Sequence, residues 1–179
     1  MWAGWANAAC TRRLGGIMRR ERGASLVEFA LVLPLILMIL LGLVSAGVAY
    51  NLKITLTHAA REAARYAAIL PTEGDTDAWL GSVETHLLAD ATGSLDSGLP
   101  GAAYCIAYVD ASSTGTETKH IDETGTVTSG WCFDDGRGTK EWRVQIAVTR
   151  TSVLTALVFS KTITLRSEAA SRYEVQVSG

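Results

Sequence analysis

Glu28 stands at the mouth of an apolar run, residues 29–52, that carries no other charge. A plain anchor has no use for such a group, because a charge at the centre of a membrane helix costs about 2.5–3.5 kcal/mol on insertion scales. Near the end of the run the cost is smaller, and the carboxylate still asks for a cationic partner. Other chemistry-bearing residues are sparse. The histidines at 58, 86 and 120 show no ligand spacing with the cysteines at 10, 105 and 132, so no metal is expected. The sequence holds no Ser/His/Asp set, no Gly-rich phosphate loop and no paired carboxylates in an acid–base context. The expectation is a protein that is not an enzyme and takes no cofactor. Asp134-Asp135-Gly136-Arg137-Gly138 lacks the alternating oxygens and terminal Glu of a calcium loop and reads as a hairpin turn.

The elements that must position Glu28 follow from charge and length. Residues 1–23 carry a net charge of +4 and residues 24–179 a net of −6. The basic end belongs on the cytoplasmic side by the positive-inside rule, which puts the body from about Lys53 across the membrane. An acidic body without a basic patch argues against nucleic acid as a partner. At 1.5 Å per residue the run 29–52 extends about 36 Å, enough for a hydrocarbon core of about 30 Å. The competing reading is a cleaved signal peptide, whose apolar core is about 7–15 residues. Val44-Ser45-Ala46 and Ala46-Gly47-Val48 match its cleavage site poorly, so retention of the helix is preferred.

Cys10 falls on the cytoplasmic side, whereas Cys105 and Cys132 share the exported body, where a disulfide can persist. A bridge there would stabilise by roughly 3–4 kcal/mol on the chain-entropy model. The alternative is two buried free thiols. Met18 offers a second start site, which would make Trp2, Trp5 and Cys10 artefacts of the start.

Beyond the apolar run, Leu52, Leu56, Ala59, Ala63, Tyr66 and Leu70 recur at helical steps, and the Ala-rich stretch 59–68 favours helix until Pro71. One helix of about 45 residues results, half in lipid and half in water, with Pro34 as a tolerated kink point. Within the span, Gly42, Ser45, Ala46 and Ala49 make a small-residue face for close approach of another helix. The alternative, that small residues are merely frequent in such helices, stays open. Asp75 or Thr76 caps a second helix with Trp79, Leu80, Val83, Leu87 and Leu88 inward and Gly93 ending it. From Ala102 the period becomes two. Residues 104–109, 142–149 and 162–175 read as half-buried antiparallel strands with a wet outer face. Residues 110–129 read as a Thr/Ser/Gly-rich excursion, and 153–159 as a crossover segment packed on the sheet. Trp131, Phe133 and Trp142 are expected in the core rather than in an exposed aromatic patch.

Arg22-Gly23-Ala24-Ser25-Leu26-Val27-Glu28-Phe29-Ala30-Leu31, the apolar run with Pro34 and the stretch 59–68 together resemble the TadE-like pseudopilins, minor pilin-type proteins of tight-adherence (Flp) pilus systems. Residues 162–169 are similar to the C-terminal end of such proteins. Residues 72–140 carry no motif of the family. The resemblance implies cleavage by a prepilin peptidase between Gly23 and Ala24, leaving Glu28 fifth and Phe29 sixth in the mature chain. The new amine at Ala24 could then be neutralised by Glu28 of the same or a neighbouring subunit.

The expected architecture is α+β and pilin-like: a long N-terminal transmembrane and amphipathic helix on a small antiparallel sheet, with a short second helix. Residues 1–23 form the leader, 24–70 the helix and 71–179 the extracytoplasmic body. The implied role is a non-catalytic minor pilin whose partners are the inner membrane, a prepilin peptidase, other pilins and the assembly platform. The alternative is a signal-anchored binding or adhesion module that never assembles.

Overall fold

A computed structural model describes residues 17–72, 75–96, 98–109, 119–137, 141–156 and 159–174; side chains at 17–22 and 119–120 are outside the description. Trp2, Trp5, Cys10 and most of the leader therefore lie outside the described residues, as do Gly138, Val175 and residues 110–118.

Helix α1, Ile17–Ile69, runs unbroken for 53 residues through Pro34. That is about 80 Å at 1.5 Å per residue, longer than expected because the helix already begins in the leader. Among the described residues it is the one helix long and apolar enough to cross a membrane. Its outer half is a stripe two residues wide. Leu56, Ala59, Ala60, Ala63, Ala64 and Ala67 are all buried, and the small alanines let the sheet come close. Helix α2, Thr76–Asp90, is capped by Asp75, whose side chain accepts from the backbone N–H groups of Asp77 and Ala78. Trp79, Leu80, Val83 and Leu87 are buried, and Leu88 packs at the edge of the core.

Among the described residues, five strands form one antiparallel sheet: β1 (Ala103–Val109), β2 (Lys119–Asp122), β3 (Val127–Ser129), β4 (Arg143–Thr155) and β5 (Ser160–Arg172). Their order is β3-β2-β1-β4-β5. With the two helices this is the α+β arrangement that the change of period predicts. Ile106, Ile146 and Ala169 stand opposite one another across β1, β4 and β5. They and their neighbours at steps of two face α1 and α2 and make the core.

Four expectations need correction. Residues 119–122 and 127–129 are strands, not part of an irregular excursion; they are too short for alternation to reveal them. Residues 153–159 are not a crossover. Thr155 pairs with Ser160, and the Ala156 N–H donates to Phe159 O, so the segment is the tip of a long β4–β5 hairpin. The outer face of the sheet is not uniformly wet. Ala107, Val109, Arg143 and Gln145 are fully buried, because β3 lies at one edge and the chain must cross back over β2 and β1 to start β4. The Asp134–Asp135–Gly136 turns belong to that crossing, not to a hairpin: Asp134 and Asp135 accept from the N–H groups of Gly136 and Arg137.

Candidate functional site

The N-terminal end of α1 gathers the residues singled out by type and spacing. Gly23, Ala24, Glu28 and Phe29 are exposed on this helix. Ala24 and Glu28 are separated by four residues, so their side chains share one face, with Cβ atoms about 5–6 Å apart. Beyond them the apolar surface is bare. Leu31, Leu43, Val44 and Tyr50 are each more than 60 % exposed, a large apolar area that water does not tolerate without cover.

A family model described as TadE-like protein matches residues 23–65. This segment is TadE-like. No curated protein and no solved structure matches the chain. The TadE-like match covers the Gly23–Phe29 group, the whole apolar run and most of the stripe that seats the sheet.

The TadE-like helix is fixed to the body along one line of side chains. Lys53, the first charge after the apolar run, donates from Nζ to Arg166 O and to Ser167 Oγ. Thr57 Oγ1 lies 2.9 Å from the same Ser167 Oγ. Nearer the bare half, Ser45 Oγ lies 2.7 Å from Thr155 O and 2.8 Å from Leu41 O of its own helix, and its single proton is shared between these acceptors. Of the small residues proposed for helix packing, Ala49 is buried on this line between Ser45 and Lys53, Gly42 and Ser45 are half-buried, and Ala46 is exposed. The side bearing Ser45 and Ala49 thus meets the chain's own hairpin, while Ala46 faces outward.

At its far end the helix is clamped by aromatic groups. Leu70 O accepts from both Trp79 Nε1 and Tyr173 OH, and Tyr173 OH in turn accepts from the Thr72 N–H. These bonds satisfy a terminal carbonyl that the helix itself cannot. Trp142 joins this cluster by ring contacts with Tyr108 and Tyr173. Trp131 is exposed, not in the core as expected, with the Arg143 guanidinium 5.5 Å from its ring on the opposite face of the sheet; of the aromatic residues at 131, 133 and 142, Trp142 alone packs against the core.

The crossing loop is held by three devices. Cys105 and Cys132 form a disulfide. Gln145 Nε2 donates to Phe133 O at 2.9 Å. Arg143, fully buried, donates from Nη2 to Asp135 Oδ1 at 2.9 Å, and its Nε lies 2.8 Å from Asp135 Oδ2 as an ion pair. Burial pushes the Asp135 carboxyl up. The Arg137 N–H, the Gln145 side chain and the Arg143 charge outweigh it and hold the group below its usual range. Sequence reasoning placed Arg143 and Gln145 on a wet face. The Cys105–Cys132 pair was the available signal, since it must draw residue 132 onto the face that carries residue 105.

His86 stacks on Tyr66 and pairs with Asp90 at 3.1 Å. Tyr104 donates to Glu84, and burial followed by that carboxylate raises its hydroxyl pKa. A surface groove of about 470 Å³ is lined by His58, Arg61, Glu62, Arg65 and Asp90. Its acids are already engaged, Glu62 by Arg65 and Asp90 by His86. Among the described residues no group of three or more His, Cys, Asp or Glu could hold a metal ion.

Proposed function

We propose that this chain is a non-catalytic minor pilin of a tight-adherence apparatus, trimmed by a prepilin peptidase between Gly23 and Ala24 and then assembled through its N-terminal helix. The observation that carries this reading is the TadE-like match over 23–65, which holds the Gly23–Ala24 bond, Glu28 and the bare apolar surface on one helix. The anchor lies in the inner membrane with its basic end in the cytoplasm and the sheet outside.

The geometry supports a role for each part. Gly23 is helical and a Cβ there would meet nothing within 4 Å. A protease needs extended backbone, and Gly costs about 1 kcal/mol of helix stability relative to Ala, so local unwinding is easiest at this residue. Cleavage would place a free amine one helical turn from Glu28. The exposed apolar side chains from Leu26 to Val48 would pack against lipid first and against neighbouring helices in the assembly.

Deletion of the gene in a piliated strain is expected to abolish or strongly reduce surface fibres, with recovery on complementation by the full chain. Unchanged fibres, with the protein still found in the membrane, would instead favour the anchored binding module that does not assemble.

A further inference from the structure

The β4–β5 hairpin does not end where the soluble body ends. It continues along α1 past Lys53, and its tip is tied to Ser45 inside the apolar run. Val153 and Phe159 near that tip are 53 % and 60 % exposed. These apolar side chains stand exposed beside the polar Thr155, Ser160, Lys161 and Thr162.

Depth can be read from the helix. With Phe29 at the inner edge of a hydrocarbon core about 30 Å thick, the outer edge falls about 20 residues later, near Ala49. Ser45 then lies about 6 Å inside that edge, and the hairpin tip bonded to it lies at the same level. Tyr50, 69 % exposed, falls at the boundary, where aromatic side chains with a polar tip are favoured. Val153 lies two residues from Thr155, and Phe159 adjoins its pairing partner Ser160, so at about 3.3 Å per residue both stay within about 7 Å of the Ser45 level, alongside the exposed Leu43, Val44 and Val48. Lys161 pairs across the hairpin with Leu154 and is exposed. Its ammonium can reach back to the headgroup phosphates while its stem stays among apolar groups.

We propose that the end of the β4–β5 hairpin, through Val153 and Phe159, is a second membrane contact, dipping into the outer leaflet beside α1, with lipid as its occupant. The Ala156 N–H donates to Phe159 O, and the Ser45 hydroxyl, shared with Leu41 O, is within donating distance of the Thr155 carbonyl, which lowers the cost of placing a strand end there. A depth of about 5–10 Å is ordinary for interfacial elements. Two contacts, a helix and a hairpin fixed to it, would set the angle of the sheet to the membrane before any partner arrives.

The inference rests on the reading of α1 as an anchor, and the test separates the two. Full-length Cys10→Ala chain, with the Cys105–Cys132 bridge intact, would carry a single environment-sensitive dye on Phe159→Cys, Val153→Cys, Leu40→Cys or Glu123→Cys. Each would be reconstituted in phosphatidylcholine–phosphatidylglycerol vesicles holding lipids spin-labelled near the headgroup or deep in the chain. Dyes at 153 and 159 should shift to the blue and lose about half their emission to the shallow spin label, as expected for interfacial depth. The dye at 40 should be quenched by the deep label and that at 123 by neither. Quenching at 40 with none at 153 or 159 would overturn the proposal and leave the anchor standing. The same holds if 153 and 159 are shielded only as protein density rises, since a second copy would then be the occupant. No quenching at 40 would remove the anchor and the hairpin contact together.

Discussion

Glu28→Ala is expected to leave membrane insertion unchanged and to reduce fibre assembly about tenfold or more, the factor that a loss of about 1.4 kcal/mol per junction gives. The reasoning is electrostatic. Two unit charges 4 Å apart interact by about 4 kcal/mol at an effective dielectric constant near 20. Only a third of that is needed for the stated factor. Glu28 is exposed on the bare half of α1 and one turn from Ala24, so its carboxylate can reach the amine of its own subunit or of a neighbour. Insertion should be insensitive, because the apolar run 29–52 supplies it, and losing a charge at its mouth helps rather than hinders. Glu28→Gln keeps the shape and removes the charge, so it should behave like Glu28→Ala. Insertion is read by resistance to alkaline extraction and assembly by fibre counts; normal piliation in both variants would contradict the pairing role.

The paired Cys105→Ser and Cys132→Ser substitution should cost about 3–4 kcal/mol, the loop-closure value for 27 residues of separation. For a body of this size that corresponds to a fall in Tm of roughly 15 °C. The loss should not be confined to the unfolded state. Cys132 anchors the loop that keeps Ala107, Val109, Arg143 and Gln145 from water, so loosening it also threatens the Arg143–Asp135 pair. Breaking a buried ion pair by freeing one partner is costly, about 3–5 kcal/mol. Thermal unfolding of the full chain in lipid nanodiscs, compared with the parent, checks this. An unchanged Tm would mean that the bridge constrains nothing in the folded body.

Much of the architecture was legible because periodicity is a local signal. The step of three and four from Leu52 to Leu70 marked the inner face of α1, and the alternation in 104–109 and 142–149 marked β1 and β4. What was hidden depends on topology. Whether Arg143 is wet or dry cannot be read from its own strand; it is decided by a connection that must pass over β2 and β1 because β3 sits at the edge. The same holds for residues 153–159. Their apolar run suits a buried crossover equally well, and only the pairing of β4 with β5 turns it into a hairpin tip. Ser167 was readable in principle. It falls between Leu165 and Ala169 on the inward parity, where a buried hydroxyl needs a partner, and Lys53 and Thr57 supply it. At the N-terminal end the composition of α1 marked Glu28 as anomalous, and the family resemblance supplied a reason for it.

The mass of the mature chain, isolated from cells with an active prepilin peptidase, tests the central claim most directly. A polypeptide beginning at Ala24 is the predicted result, with Glu28 as its fifth residue. A polypeptide still beginning at Met1 or Met18 would contradict it.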